Sequence, residues 1–445
     1  MRSFVLKLLR NATFVHAVSF GVALIAGLVI RHLTAGDDHT VSQAGNTLLT
    51  ISMITKEALR ILENNLAFTK RVNRQYDDKF AIEGAKIGYV VNARKPVRYV
   101  VTTGQALSIQ DATETQVPVT LTTQDHVDFQ FSSADLALSV DDFKNRFLTP
   151  AISALANKID FSGLSLYNQI SNAVGTPGTV PNTLLTYLLA GVALDNNAAP
   201  QDEERHIVIT PKMQAYIVDA LKGLFQQASE IARQYIKGTM GISSGFNWAM
   251  DQNCPTHTVG PLGGTPTVNG AGQTGASLVT QAWTAAAASR LNQGDVFTIA
   301  GVFGVNPQSR QSTGDLQQFV VTAPVSSDGA GAATIPISPA IITSGAYQTV
   351  TGSPANAAAL TILGAANTAS PQGMAFHRDA FTLVTADLPV PKGVDMGSRV
   401  SDKQLGVSLR MVRAYDINTD QWPCRIDVLY GWATLRPELA CRVAA

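Results

Sequence analysis

Gly241-Ile242-Ser243-Ser244-Gly245 has the spacing of a hydrolase nucleophile elbow, in which a serine sits on a strained turn between a strand and a helix with its hydroxyl presented to a base. The flanking residues predict the wrong context: a helix before and the strand-like Phe246-Asn247-Trp248-Ala249 after, so the segment reads as a loop. Gly270-Ala271-Gly272-Gln273-Thr274-Gly275 carries the glycine spacing of a dinucleotide-binding turn. It neither follows a strand nor opens a helix, the arrangement that would point backbone N–H groups at a pyrophosphate. Cys254 and His257 stand close enough to share a metal, but two ligands do not make a zinc site, and Cys424 and Cys441 fall in the last strand and tail. His16, His32, His39, His126, His206, His257 and His377 are scattered over separate segments. The adjacent carboxylates Asp77-Asp78, Asp141-Asp142 and Glu203-Glu204 point in different directions, which suits helix caps and solvated loops better than a shared proton. No catalytic residue, metal ligand or cofactor is nominated, and the chain is read as no enzyme.

Function must therefore lie in the elements themselves. A chain of 445 residues exceeds one ordinary core, so two or three domains are expected. Lys and Arg total 33 and so do Asp and Glu, which excludes a global field drawing the protein to nucleic acid or an anionic membrane. Unpaired cysteine spacing suits a reducing compartment. Residues 11–30 lack Asp, Glu, Lys and Arg and lie between Arg10 and Arg31. Their length is close to a bilayer span, and the poor cleavage site after them favours a signal anchor over a cleaved signal.

Residues 46–72 carry Leu59, Leu62 and Leu66 at helical spacing, which predicts a helix capped by Ser52 or Thr55, with Lys56, Arg60, Lys70 and Arg71 on its other face. Further on, Leu136, Leu138 and Val140 alternate as a strand, and Ser139-Val140-Asp141-Asp142 opens a helix bearing Phe143 and Phe147. Thr149 reads as the N-cap of a rod helix running from Pro150 to about Ala173, with Ile152, Leu155, Ile159, Leu166 and Ile170 in one apolar stripe. Residues 182–250 alternate types: a helix through Leu184, Leu188 and Val192, a strand His206-Ile207-Val208-Ile209, a helix from Thr210-Pro211 and another over residues 229–237. Between residues 255 and 372 the charged residues are Arg290, Asp295, Arg310, Asp315 and Asp328, and the period becomes two, as in a small β-barrel or sandwich. Charged strands resume over residues 376–385, 405–415 and 425–435.

Residues 84–131 read as one extended β-hairpin whose strands carry opposite charge. The outgoing strand holds Lys86, Arg94, Lys95 and Arg98 and no acid; the return holds Asp111, Glu114, Asp125 and Asp128 and no Lys or Arg. Outgoing residues 86–103 would reach roughly 60 Å at about 3.3 Å each, and a lone two-stranded hairpin is marginal in water. An arm of that length is expected to lie on another subunit, with those eight charges as candidate intersubunit contacts.

Three stretches together resemble the major capsid (coat) proteins of tailed phages, in particular the podovirus-type coat family with an HK97-like fold and an inserted β-domain. The first runs from Asn46-Thr47-Leu48-Leu49-Thr50 through Leu62-Glu63-Asn64-Asn65 to Lys95-Pro96-Val97-Arg98. The second is Val127-Asp128-Phe129-Gln130-Phe131 with Asp141-Asp142-Phe143 and residues 151–160. The third joins Ala375-Phe376-His377-Arg378-Asp379-Ala380-Phe381 to Arg425-Ile426-Asp427-Val428-Leu429-Tyr430-Gly431-Trp432 and Arg436-Pro437-Glu438-Leu439-Ala440.

The resemblance implies an α+β fold: an N-terminal arm over residues 44–83, an extended loop over 84–131, a peripheral domain with a spine helix over 132–181 and an axial domain over 182–254. An accessory β-domain over 255–372 and residues 373–445, completing the axial and peripheral domains, follow. Residues 1–43 form an apolar extension without a counterpart. It further implies a homo-oligomer of pentamers and hexamers in an icosahedral shell around double-stranded DNA, assembled in the host cytoplasm with a scaffolding protein, a portal and, in some phages, a decoration protein. Lys70, Arg71 and Arg74 are the candidates for non-specific contact with packaged DNA. The competing reading, from the apolar N-terminal segment and the Thr- and Gly-rich β-region, is a membrane-anchored or exported surface-layer protein.

Overall fold

The computed structural model describes residues 42–77, 90–105, 107, 109, 116–132, 147–221, 241–402 and 406–445. The apolar segment 11–30, the strand and capping box around residues 136–142, the helix expected at 229–237, and Lys86, Asp111 and Glu114 lie outside the described residues. The chain divides into two units, Met1–Met53 and Ile54–Ala445. Of the first, residues 42–53 form the opening turns of helix α1, Ser42–Asn65.

Within the second unit the rest of α1 buries Ala58, Leu59, Ile61, Leu62 and Leu66, the expected stripe. Its start differs from expectation: the helix begins at Ser42, so Thr55 lies well inside it, fully buried, and not at its N-terminus. Its end differs too, because the backbone N–H groups of Ala67, Phe68 and Thr69 turn away from helical carbonyls to bond Asp160 on another helix. Helix α2, Thr149–Leu164, is shorter than the predicted rod and passes into a 3-10 helix, Ser165–Gln169. Leu148 is already helical, so Thr149 is no N-cap. At the other end the hydroxyls of Ser162 and Ser165 bond back to the carbonyls of Lys158 and Phe161, competing with helical donors, and Ala173–Gly175 is drawn into a sheet.

Two sheets flank this helical layer. The first has the order Asn73–Asp77, Phe381–Ala386, Gln421–Thr434, Val407–Arg413, Met396–Asp402, with Thr123–Ser132 also paired to Gln421–Thr434. The second has the order Ala173–Gly175, Ala440–Ala444, Ala369–His377, Arg205–Ile209, Phe246–Met250, Ile242–Ser243, with Thr256–Thr258 paired to Ala369–His377. Residues 376–385, expected as one strand, are two: the chain leaves the second sheet at His377, turns through Arg378–Ala380 and enters the first at Phe381. His377 makes the corner by accepting the Asp379 N–H on Nδ1 at 3.2 Å.

Phe68, Phe376, Phe381 and Trp432 meet at this corner, with ring centroids 5.1 to 5.6 Å apart around Phe68. Helix α2 approaches so closely that a Cβ on Gly163 would lie 2.7 Å from Trp432 Cζ2 and 2.8 Å from Phe68 Cδ1. Gly163→Ala is therefore expected to lower stability by about 1–3 kcal/mol by overpacking, against a helix preference for alanine of about 1 kcal/mol. A shifted urea midpoint with unchanged m would show it; a rise in midpoint would mean the ring cluster yields at no cost.

Helix α3, Leu184–Asn196, and helix α4, Pro211–Ala220, accompany the second sheet. Thr210 caps α4 by accepting the Met213 N–H, as its Thr-Pro start predicts. On α3 the buried residues are Tyr187, Ala190 and Leu194, while Leu188 and Val192 of the predicted stripe are exposed.

The low-charge region has its own sheet, in the order Thr267–Val268, Gly275–Gln281, Ala333–Ile341, Ser312–Val321, Val296–Val305, Leu360–Ile362. Its separate core includes Trp283, Phe297, Phe319, Ile335 and Ile337. The few charges are placed with care. Buried Arg290 donates to Ser327 Oγ and the carbonyls of Leu262, Thr284 and Ala286. Buried Asp295 accepts from Gly260 N and Asn292 N and meets His257 Nε2 at 2.8 Å. Asp328 holds a turn through Ala330 N and Ala332 N. Arg442, fully buried on the C-terminal strand, donates to Gly294 O at 2.8 Å and stacks over Tyr167 at 5.7 Å, so a guanidinium of the last sheet grips the foot of this region.

Candidate assembly surface

The charged arm folds differently from a single long hairpin. Val90–Arg94 pairs antiparallel with Gln116–Thr120, from Val90 opposite Thr120 to Arg94 opposite Gln116. The return then breaks at Leu121-Thr122, and Thr123–Ser132 pairs with Gln421–Thr434 over ten residue pairs. Burial drives the break: Ala93, Val119 and Leu121 pack with Val384, Ala386, Leu429 and Leu435, so the apolar face of the short hairpin sits on the first sheet. Gly431 permits that approach, since a Cβ there would collide with the Thr120 carbonyl oxygen.

Among the described contact charges, Asp125 and Asp128 therefore lie on a strand paired with Gln421–Thr434, apart from Lys95 and Arg98. Asp125 accepts from the Tyr430 hydroxyl at 2.6 Å, and Asp128 accepts from Arg425 Nε at 2.9 Å and lies 2.9 Å from His126 Nδ1. Burial, with the bond to Asp125, holds the Tyr430 hydroxyl well above the ordinary phenol range. Arg98 pairs with Glu438 at 2.8 Å beside Arg436, which lies 3.4 Å from the same oxygen, and its guanidinium stands 5.8 Å over the Tyr347 ring. Burial lowers the Lys95 ammonium below its usual range; Glu438 opposes this, and Arg436 and Arg98 reinforce it. Arg310 completes the mooring by donating to the Tyr99 carbonyl at 2.7 Å. Arg98 is thus tied to the C-terminal 3-10 helix, Pro437–Leu439, and Tyr99 to the low-charge region through Arg310, with Lys95 beside them. Glu438 was missed as their partner, because hundreds of residues separate them and no local pattern marks the pair.

Beyond the moored stretch the arm turns apolar and outward. Val101 is 91% exposed, Leu107 87%, Ile109 82% and Tyr99 60%. These side chains join no core among the described residues, and exposed apolar groups gathered in one stretch are the kind of surface that partners cover. Asp125 and Asp128 occupy the sheet rather than this projecting stretch.

Lys70, Arg71 and Arg74 are all half-buried. Arg71 donates to the Ala67 carbonyl at 2.6 Å, and burial lowers its guanidinium against the pull of Asp160. Ser243 stands in a tight β-turn between Ile242–Ser243 and Phe246–Met250, with Ser244 and Gly245 at positive φ, so the strand-to-helix elbow does not form. Its Oγ is buried without a hydrogen-bond partner among the described residues. The glycine-rich run 270–275 leads into the strand Gly275–Gln281 instead of opening a helix. His257 is bonded to Asp295 and Tyr167, and burial holds the Cys254 thiol far above its ordinary value.

The family model for the P22 coat protein, gene protein 5, matches residues 43–442. No curated protein sequence matches the chain. Among solved structures, the chain is similar to one from Mycobacterium phage Che8 at 12% identity, covering 85% of this chain and 90% of that one with a TM-score of 0.41. The capsid structure of the cyanophage P-SCSP1u is similar at 11% identity, with 85% and 88% covered and a TM-score of 0.40. The CUS-3 coat protein I-domain is 30% identical over 22% of this chain and 95% of that one, with a TM-score of 0.17.

Proposed function

Because the chain belongs to the P22 coat protein family, a phage coat protein family with the HK97-like fold, we propose that it is the major capsid protein of a tailed bacteriophage, self-assembling into the icosahedral head shell around double-stranded DNA. The observation that carries the mechanism is the arm. Its root is moored by Arg98 and Arg310, and its described tip presents Tyr99, Val101, Leu107 and Ile109 to solvent. Such a tip is suited to lie on a neighbouring copy, and many individually weak contacts of this kind add up through multiplicity. The sheet containing Gln421–Thr434, with α2, fits the peripheral domain, and the sheet containing Ala369–His377 fits the axial domain around pentamer and hexamer axes. The low-charge sheet fits an accessory domain. Scaffolding protein and portal are the expected partners, with a decoration protein in some phages. DNA contact is expected to be weak and independent of sequence, since net charge is zero and Arg71 is engaged within the chain.

Negative-stain microscopy of purified protein tests the reading: closed shells are expected, and a detergent-extracted monomer would overturn it. Charge reversal of Arg94, Lys95 and Arg98 to Glu is expected to abolish shells while leaving subunits folded, because it sets new carboxylates beside Glu438 and detaches the root of the arm. Normal shells from that variant would show that the mooring is incidental.

A further inference from the structure

We propose, on the basis of the coat-protein function above, that the outer side of helix α3 and the strand Ser312–Val321 beside it form a docking surface for a second copy of the chain. Residues 161–194 contain no Asp, Glu, Lys or Arg, so α3 is uncharged until Asp195. Its inner side carries Tyr187, Ala190 and Leu194, all buried, with Tyr187 meeting Trp248 of the second sheet at 5.2 Å between ring centroids. Leu185, Leu188, Leu189 and Val192 recur at three and four residues on the opposite side, and all four are exposed, Leu185 by 62%. A helix apolar on both sides is the kind that a fold buries all round, yet α3 is covered on its inner side alone.

The outer stripe continues into a cleft. Leu189, Val192 and Ala193 share a space of about 290 Å³ with Gly304, Val305 and Leu316 of the low-charge region. Its two walls are held in place: Asn196 Nδ2 donates to Asp315 Oδ2 at 3.2 Å, and Asn306 Nδ2 donates to Asn196 O at 3.0 Å. The same loop leads to the arm, because Arg310 N donates to Asn306 O at 2.8 Å and the Arg310 guanidinium to Tyr99 O at 2.7 Å. One bonded path thus joins the α3 stripe to the arm tip, and a single neighbour can meet both.

The occupant follows from size and charge. A specific interface takes about 20–30 residues a side, and the described arm tip offers only Tyr99, Val101, Leu107 and Ile109. The α3 stripe and its cleft supply apolar surface of the kind still needed. In a coat protein family the neighbour of each chain is another copy of it. The stripe offers no charge to attract a charged partner, and 13 helical residues reach about 20 Å, too short to span a bilayer.

The test uses the full-length chain with Leu185→Gln and Leu189→Gln together, since glutamine matches leucine in helix preference. The urea midpoint is expected to hold, and sedimentation over a concentration series is expected to show the threshold for shell formation raised by about tenfold or more. A variant that assembles at the wild-type threshold overturns this surface and leaves the coat-protein function standing. Wild type that forms no shells overturns that function and the surface with it. If the variant loses stability, a photoreactive phenylalanine analogue at Leu188 decides. A cross-linked dimer from assembled shells, absent from unassembled subunits, supports the proposal. Cross-links confined to one chain, such as to residues 222–240, or made to a protein of different mass, overturn it.

Discussion

Replacement of Val101, Leu107 and Ile109 by aspartate is expected to leave folded subunits that no longer close into shells. All three are more than four-fifths exposed, so they contribute nothing to the core of their own chain, and the urea midpoint should hold. In an assembled shell the same side chains would leave water, each contributing about 1.5–3 kcal/mol when fully buried. Since 1.4 kcal/mol is a factor of ten in an association constant, loss of even half that burial at all three positions would raise the concentration needed for assembly by about fortyfold or more. The aspartates add the cost of burying unpaired charge. Sedimentation of variant and wild type over a concentration series reads the effect directly. Shells of ordinary yield from the variant would remove the arm tip from the mechanism and leave the moored root to account for assembly. The charge reversal at Arg94, Lys95 and Arg98 acts on that root, so the two experiments divide the arm between anchorage and contact.

Asp160→Ala is expected to produce the largest loss of subunit stability, about 4 kcal/mol. The carboxylate receives three backbone N–H groups and one hydroxyl from Ala67, Phe68 and Thr69. Its removal leaves those buried donors without an acceptor, at about 1–3 kcal/mol each before relaxation. It also frees the stretch that sets Phe68 among Phe376, Phe381 and Trp432, so part of the loss is packing. Equilibrium urea unfolding checks it, and Asp160→Asn, which keeps one acceptor and the shape, should recover a measurable share. A loss below about 1 kcal/mol for the alanine variant would mean that water or a rearranged turn satisfies the donors.

Some of this was legible in the chain. The stripe of Leu59, Leu62 and Leu66 became the buried face of α1, because neighbouring turns of a helix meet at that spacing. Thr210-Pro211 began a helix as its chemistry requires, and the period of two expected between residues 255 and 372 appears in the strand Ala333–Ile341, where Ile335 and Ile337 are buried on one face. The nucleophile-like and dinucleotide-like runs were set aside on sequence context, and their surroundings in the fold are those of a β-turn and a strand entry.

The arm shows the limit. Its charges and apolar residues are visible in sequence, but local pattern could not tell that Thr123–Ser132 would pair with a strand some three hundred residues away. Extended backbone pairs equally well with either strand. The choice falls to which apolar faces find a common core, here that of Val119, Leu121 and Leu429. The same holds for Arg98 with Glu438 and for Asp160 with Ala67, Phe68 and Thr69, where a charge takes its meaning from whatever the fold brings within hydrogen-bonding distance. What the sequence by itself determined is therefore the family, through the order of its resembling stretches, and several local elements, since the latter rest on periodicity and short-range chemistry. Tertiary structure alone decided the partner of each strand, the mooring of the arm and the buried acceptor Asp160, because burial and long-range pairing are properties of the folded chain.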